Sequence, residues 1–282
     1  MLKIAGVQMD VAIGQNERNL DRIVAAVEET TRNGARLTVF PECAVSGYCF
    51  DSLEEARAFA EPLDDPGTSP TVRRLAEVCG ATDSFAVAGL LEIDGARLFN
   101  ACVLVGPAGL VGSYRKIHLP MLGIDRFTAP GDRPPRVHAA GNLKLGMNIC
   151  YDGSFPELSR VMALDGADLI VLPTNWPPAA ECFAAHTINT RAMENHVYYM
   201  SVNRIGTERG FHFIGASRIC DPTGKVIGAA EHDDEAILYA EIDPAWARNK
   251  HLIRTPGKHE IHRWHDRRPE FYGRIVEPVK RD

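Results

Sequence analysis

Apolar runs of strand length alternate with amphipathic helical patterns along this chain, and no linker separates them. In the first half this alternation predicts a strand at residues 2–8, a helix capped by Asn16 that stops at Gly34, and a strand ending at Glu42. Two further helices are predicted, one that begins at Ser52 and one that begins at Ser69 with Pro70. Three strands follow, at residues 85–92, 100–105 and 110–116. The last three strands follow each other through turns, so the sheet they join is mixed.

The second half has a similar order of elements. It predicts a strand at residues 143–149, a helix from Ser154 to Gly166, a strand at residues 169–173, a helix from about Ala179 to Asn195, and four more strands that end near Asp243. Residues 117–141, between the halves, are rich in proline and glycine and predict a long loop. A loop of that length in a compact domain usually carries function.

Each helix has an apolar face to bury, and the strands carry apolar residues on alternate sides. Two mixed sheets packed face to face, with the helices outside, satisfy both requirements. We therefore predict a single α/β domain over residues 1–282. Residues 244–282 differ, being rich in Arg, Lys, His and Pro with scattered apolar residues. They cannot form a core and are predicted to be a C-terminal arm or a flexible end.

Three reactive side chains stand where a strand runs into a loop: Glu42, Lys116 and Cys150. Layered α/β proteins usually carry their site residues at such positions. Cys150 also precedes a predicted helix start, because Ser154 and Glu157 have the spacing of a capping box. The positive end of that helix dipole would favour a thiolate. On its own, Cys150 is equally explained as a small buried apolar side chain, and Glu42 or Lys116 alone is better explained as a solvated charge at a strand end.

Several motifs together make the chain resemble the carbon-nitrogen hydrolases of the nitrilase superfamily. The resemblance runs from Val7 to about Tyr272. It is carried by Phe40-Pro41-Glu42, Tyr114-Arg115-Lys116-Ile117-His118-Leu119-Pro120, Asn148-Ile149-Cys150-Tyr151-Asp152, Phe155-Pro156-Glu157, Pro173-Thr174-Asn175-Trp176-Pro177, Arg191-Ala192-Met193-Glu194-Asn195, Asn203-Arg204-Ile205-Gly206, Gly215-Ala216-Ser217, Asp221-Pro222-Thr223-Gly224 and Arg267-Arg268-Pro269-Glu270.

This resemblance implies a four-layer α-β-β-α sandwich, a homodimer or higher homo-oligomer, and roles for the three residues. Cys150 would be the nucleophile that forms a thioester, and Glu42 the general base. Lys116 would hold the oxyanion together with the backbone N–H after Cys150, which belongs to Tyr151. The reaction would split an amide-type C–N bond of a small molecule and release ammonia or an amine. It needs neither a cofactor nor a metal.

The substrate predictions rest on residues near these three. In the resembling family, Tyr151-Asp152 after the cysteine is typical of amidases and carbamoyl hydrolases, whereas nitrile hydrolysers tend to carry Trp-Glu. Many members have a second glutamate in the loop after the lysine; here Asp125 is the nearest acidic residue and its substitute. Tyr48, Asn175 and Trp176 also stand at strand ends and are predicted to line the pocket, although ordinary loop packing explains them equally well.

Several alternatives remain open. The bond could belong to an N-carbamoyl compound or a nitrile, the acceptor could be an amine in place of water, or the fold could serve a catalytically silent binding protein. His118 could activate the thiol as in papain-like hydrolases. Four histidines in the tail suggest a metal site, but their spacing matches no recognised zinc pattern; they are His251, His259, His262 and His265.

Composition excludes other classes of function. The net charge of −6 and the lack of a dense basic run argue against a nucleic-acid partner. The longest apolar runs are of strand length, which predicts no membrane span. The first strand begins at residue 2, which leaves no room for a signal peptide, and the seven cysteines lack paired spacing. Both features favour a reducing cytoplasm.

Overall fold

The computed structural model describes residues 1–230 and 232–279. Its helices are α1 (Asn16–Arg32), α2 (Leu53–Arg57), α3 (Pro70–Thr82), α4 (Pro156–Leu164), α5 (Glu181–Asn195) and α6 (Pro244–Arg248). Its strands are β1 (Leu2–Gln8), β2 (Leu37–Val39), β3 (Phe85–Asp94), β4 (Arg97–Gly106), β5 (Gly109–Arg115), β6 (Val137–Ala140), β7 (Leu143–Met147), β8 (Leu169–Thr174), β9 (Tyr198–Asn203), β10 (Thr207–Glu208), β11 (Phe211–His212), β12 (Arg218–Cys220), β13 (Val226–Ala229), β14 (Ala236–Ile242), β15 (His251–Thr255) and β16 (His259–His262).

Two six-stranded sheets form the centre of the molecule. Their strand orders are β14-β1-β2-β3-β4-β5 and β13-β12-β9-β8-β7-β6. Both sheets are mixed: β1, β2 and β3 run parallel, as do β7, β8 and β9, while the remaining pairs are antiparallel. In each sheet the parallel strands therefore deliver their carboxyl ends to one edge.

The alternation of side chains along the strands explains the layers. Val39 and Val87 of the first sheet share one apolar cluster with Leu145 and Met147 of the second. The residues on the opposite face of the first sheet, such as Ala86 and Ala88, pack instead with the apolar stripes of α1 and α3. Helices α4 and α5 cover the outer face of the second sheet. The predicted four-layer α-β-β-α sandwich is confirmed.

Some local predictions are wrong in their boundaries. Asn16 is the first residue of α1 rather than its cap, and its side chain bonds the carbonyl of Phe59. The predicted loop at residues 117–141 ends in a short strand, β6. Among the described residues between α5 and residue 243 there are six strands rather than four. Ser52 and Ser69 cap α2 and α3 as predicted, each accepting a backbone N–H three residues later.

The tail begins as an ordered part of the body. Helix α6 buries Ala247, and the Lys250 ammonium donates to the carbonyls of Asn195 and His196. Strands β15 and β16 then form a hairpin, and Trp264 packs against the central core. Most side chains from residue 265 to 279 are exposed, and residues 280–282 of the predicted arm, like residue 231, lie outside the described residues.

Candidate active site

The three predicted site residues lie at the same edge of the two sheets. Glu42 follows β2, Lys116 follows β5 and Cys150 follows β7. Strand β5 has the same direction as β3 because β4 is antiparallel to both, so the carboxyl ends of β2, β3 and β5 coincide. The facing sheet brings the end of β7 to this edge as well.

Glu42 and Lys116 form an ion pair in the interior of the protein. Lys116 Nζ lies 2.7 Å from Glu42 Oε1 and 2.5 Å from Asp125 Oδ2. All three side chains are buried, Glu42 completely. Charges removed from water are tolerated only when they are paired and hydrogen-bonded. The predicted substitute Asp125 therefore lies in direct contact with the lysine.

Two neutral side chains complete this cluster. The Tyr48 hydroxyl donates to Asp125 Oδ2 at 2.8 Å. Asn100, on β4, uses Nδ2 to donate to both carboxylates: to Glu42 Oε1 at 2.7 Å and to Asp125 Oδ1 at 2.9 Å. Glu42 Oε1 thus accepts from two donors, whereas Oε2 is buried with no partner among the described residues.

Burial and neighbouring charge shift the ionisation of the pair in ways that oppose each other. Burial raises the pKa of Glu42, the ammonium of Lys116 lowers it, and the charge of Asp125 raises it again; the net pKa lies above the ordinary value for a glutamate. For Lys116, burial lowers the pKa, but the two carboxylates outweigh burial and hold that pKa well above its ordinary value. Lys116 is therefore an ammonium at neutral pH.

Gly89 allows the segment that carries Glu42 to lie directly on β3. A side chain at this position would come within 2.4 Å of the backbone nitrogen of Cys43 and 2.6 Å of the carbonyl oxygen of Pro41. Real side chains do not approach backbone atoms so closely. The glycine is thus required by the close approach of the 41–43 segment to the sheet.

Cys150 begins a tight turn rather than a helix. Its φ is +48°, which a residue other than glycine adopts rarely, and residues 150–154 form one 3-10 turn. Helix α4 begins later, at Pro156, with Phe155 as its N-cap and no side-chain cap. The predicted capping box of Ser154 and Glu157 is therefore wrong.

The prediction that Cys150 is a thiolate is also wrong. Burial, followed by the charge of Glu42, raises the pKa of the Cys150 thiol to about 12, although Lys116 and groups of Thr174 and Asn175 act against this shift. Cys150 is 5% exposed, whereas Cys182 on α5 is exposed. Cys150 therefore carries a neutral thiol at neutral pH.

Asp152 fixes the turn that presents Cys150. Its Oδ2 accepts from the Tyr114 hydroxyl at 2.8 Å and from the backbone N–H of Ile149 at 3.0 Å. Its Oδ1 accepts from the backbone N–H of His118 and lies 2.7 Å from His118 Nδ1. This carboxylate ties the turn in one sheet to β5 in the other. The His118 ring also stacks on Phe155, at 3.7 Å between ring centroids. Its Nδ1 is hydrogen-bonded to Asp152 rather than to the thiol.

The other predicted pocket residues have different surroundings. Asn175 is fully buried, and neither its Nδ2 nor its Oδ1 has a partner in the described part of the chain. The Trp176 ring is buried edge-on to Phe183, and the backbone N–H of Trp176 donates to Asn203 Oδ1. Tyr151 is 41% exposed, and its ring packs edge-on against Phe155, outside the charged cluster.

The tail histidines stack on each other. The rings of His262 and His265 lie parallel at 3.6 Å, and His251 bonds Glu260. Over residues 1–230 and 232–279, no group of three or more His, Cys, Asp or Glu side chains is arranged to hold a metal ion. Within the same residues, none of the helices combines the length and apolar character needed to cross a membrane.

Comparison with known proteins identifies the family. The sequence model described as carbon-nitrogen hydrolase matches residues 3–250. The chain belongs to the carbon-nitrogen hydrolase family. It is 38% identical to a nitrilase of Pyrococcus abyssi over 274 residues, which cover 97% of this chain and 100% of that one. It is 34% identical to an (R)-stereoselective amidase of a Pseudomonas species, covering 83% of this chain and 82% of the relative.

The solved structures give the same result. Nit3 of Saccharomyces cerevisiae, a member of branch 10 of the nitrilase superfamily, superposes with a TM-score of 0.79 at 26% identity, covering 87% of this chain and 91% of that one. The predicted family is confirmed, and so is the prediction that the protein is an enzyme that hydrolyses carbon–nitrogen bonds.

Two residues of this carbon-nitrogen hydrolase that border the cluster were not identified from sequence. Asn100 lies inside β4. An asparagine among the apolar residues of a buried strand could have indicated a site residue from the sequence. Thr174 ends β8 beside the thiol, and its Oγ1 is buried without a full hydrogen-bond partner among the described residues. Its position immediately before the predicted pocket residue Asn175 could have identified it from the sequence.

Proposed function

We propose that this carbon-nitrogen hydrolase cleaves the C–N bond of a small amide through a thioester on Cys150, with Glu42 as the general base and Lys116 as the cation that stabilises the oxyanion. The observation that carries the proposal is the arrangement of the Glu42 carboxylate. One of its oxygens is held by Lys116 and Asn100, and the other is buried and free to accept a proton.

The reaction begins with a neutral thiol. Glu42 Oε2 takes the proton from Cys150 as the sulfur attacks the carbonyl carbon, so no stable thiolate is required beforehand. The charge that develops on the carbonyl oxygen is stabilised by the Lys116 ammonium and by the N–H of Tyr151. The first N–H groups of such a turn have no partner within it and are available to an anion.

The same carboxyl group completes both halves of the reaction. Protonated Glu42 gives its proton to the leaving nitrogen, the C–N bond breaks, and ammonia or an amine departs. Glu42 then takes a proton from water, which attacks the thioester; the carboxylic acid is released as the proton returns to the sulfur. Its raised pKa suits a group that must alternately take and give a proton near neutrality.

Asp125 takes the part of the second carboxylate in this proposal. It balances the Lys116 charge while Glu42 is protonated, so the ammonium is never left alone in the interior. The Tyr48 hydroxyl and Asn100 fix its orientation by hydrogen bonds. Asp125 therefore neutralises the charge of Lys116, and Glu42 exchanges protons with the thiol, the leaving nitrogen and water.

The choice of an amide over a nitrile follows from the unpartnered acceptors near Cys150. Glu42 Oε2, Thr174 Oγ1 and both polar atoms of the Asn175 side chain are buried with no hydrogen-bond partner in the described residues. An amide brings N–H donors for the oxygens and a carbonyl acceptor for Asn175 Nδ2, whereas a nitrile brings only an acceptor. A site built to bond an N–H group discriminates strongly against an analogue that lacks it.

We expect primary amides to be hydrolysed with a kcat/KM about 100-fold or more above that of the nitriles with the same carbon skeleton, since the nitriles leave those acceptors unpaired. A screen for released ammonia with propionamide and propionitrile, butyramide and butyronitrile, and a set of N-carbamoyl amino acids measures this ratio. Each pair is matched in apolar contact, so the comparison isolates the amide group. A preference for the nitriles would overturn the assignment of the substrate and leave the roles of the three residues intact.

We also propose that the enzyme is a homodimer. Apolar side chains are exposed on α4, on α5 and in the tail; they are Val161, Leu164, Met193, Phe271, Tyr272, Ile275 and Val276. Five of them, Val161, Leu164, Tyr272, Ile275 and Val276, line a cleft of about 780 Å³ between α4 and the tail. Exposed apolar surface of this kind is typical of an interface between proteins.

Leu164→Glu is expected to shift the protein to a monomer in sedimentation velocity, because a charge would be buried at that interface. Val111→Glu, at an exposed position on β5, is the matched control and should leave the mass unchanged. A monomeric wild-type protein at micromolar concentration would contradict the proposal. The cytoplasmic location stays a prediction, supported by seven free cysteines.

A further inference from the structure

Asn100 contacts each of the three charged residues at the centre of the site. Its side-chain Nδ2 donates to Glu42 Oε1 and to Asp125 Oδ1, at 2.7 and 2.9 Å. Its backbone carbonyl accepts the N–H of Lys116 at 2.8 Å. The side chain is fully buried, and it extends from β4, between the strands that lead to Glu42 and to Lys116.

The orientation of the Asn100 amide is fixed by its other end. The Cys43 thiol donates to Asn100 Oδ1 at 3.5 Å, within the range for a sulfur donor. An exchange of the oxygen and nitrogen would point an oxygen at two carboxylate oxygens, which repel it. The NH2 group therefore faces Glu42 and Asp125.

One ammonium cannot by itself satisfy two buried carboxylates. Lys116 uses one contact on Glu42 Oε1 and one on Asp125 Oδ2. Asn100 adds a second donor to Glu42 Oε1 and the donor to Asp125 Oδ1, without adding charge. Both donors on Glu42 act on the same oxygen, which leaves Oε2 as the free one.

We propose that Asn100 is a positioning residue of this hydrolase, which selects Glu42 Oε2 as the proton-accepting oxygen and keeps Glu42 ionised beside Asp125. The inference rests on the proposed role of Glu42 as the general base. Asn100 itself does not touch the reacting atoms; it acts through Glu42. Hydrogen bonds to a carboxylate favour its charged form, and the bond from Asn100 lowers the pKa of Glu42.

The test is the pH dependence of kcat/KM in Asn100→Ser and Asn100→Asp. Activity requires ionised Glu42, so the acid limb of the profile reports the apparent pKa of Glu42. Removing a donor raises that pKa, and adding a third carboxyl raises it further. We expect the limb to move to higher pH by about one unit in Asn100→Ser and by more in Asn100→Asp. At pH 7, kcat should fall by about 10- to 100-fold while KM changes by less than about threefold.

Asn195→Asp is the matched control, because Asn195 is also a fully buried asparagine that donates through Nδ2, here to the carbonyl of Arg191 at the end of α5. It is expected to lower the melting temperature without moving the acid limb. If Asn100→Asp does not fold, Asn100→Ser decides the question alone, since its smaller side chain adds no charge.

Two outcomes separate the inference from the function on which it rests. An acid limb in the Asn100 variants that superposes on that of the wild type, together with loss of activity in Glu42→Gln, would overturn the role of Asn100 and leave the proposed function standing. A Glu42→Gln enzyme with normal acylation and deacylation would overturn the proposed function and the role of Asn100 with it.

Discussion

Replacing Cys150 with alanine is expected to lower kcat by about 10⁴- to 10⁶-fold, because the covalent route through the thioester then has no nucleophile. The melting temperature should change little, since the substitution removes one sulfur from the mouth of a turn that Asp152 continues to hold. Steady-state ammonia release and thermal unfolding measure the two effects. Incubation with substrate followed by mass spectrometry of the intact protein should show an acyl adduct on the wild type and none on Cys150→Ala.

Cys220→Ala is the matched control for this substitution. Cys220 is a buried free thiol on β12, in the same sheet, and it takes no part in the charged cluster. Its loss should lower stability slightly and leave kcat unchanged. Full activity in Cys150→Ala, or an adduct on another cysteine of the wild type, would mean that the nucleophile had been assigned to the wrong residue.

Glu42→Gln and Lys116→Met are each expected to reduce kcat by about 10³-fold or more, and the double variant should be little worse than either one. The effects do not add because both residues act on one transition state. Glu42→Gln keeps the shape of the side chain and can still bond Lys116, but it cannot take a proton. Single-turnover experiments should show slow acylation in both variants, since the proton transfer and the oxyanion occur first in that step.

Stability gives an independent measure of the same pair. Lys116→Met leaves Glu42 and Asp125 buried without a cation, and we expect a loss of about 3–5 kcal/mol in the free energy of unfolding. Adding Glu42→Gln to Lys116→Met should recover part of that loss, because one buried carboxylate is removed. Chemical denaturation measures both values. Additive losses of activity or of stability would show that the two side chains do not act as a pair.

The sequence by itself determined the order of the elements, the layers and the family. The period-two pattern at residues 143–147, the continuous apolar run at residues 85–92 and the apolar stripe of α1 are local signals, and they matched the structure because each reflects which faces of its element are buried. The three reactive side chains could be selected from sequence for a related reason. Each follows a strand, and the direction of neighbouring strands brings such positions to one edge.

Local sequence patterns gave the wrong structure where a short segment is held by hydrogen bonds from residues far away in the sequence. Ser154 and Glu157 have capping spacing, but α4 begins at Pro156 because residues 150–154 are held in a separate turn by Asp152. The bonds that hold Asp152 come from Tyr114 and His118, more than thirty residues away. No pattern within the segment contains that information.

Tertiary structure alone decided the ionisation of the site. The pKa values of Glu42, Lys116 and Cys150 depend on burial and on charges that come from separate segments of the chain, including Asp125 in the loop after β5. Asn100 and Glu42 are 58 residues apart in sequence and 2.7 Å apart in the fold. Burial and charge–charge energies are set by distances through space, whereas the sequence fixes only which residue types are available.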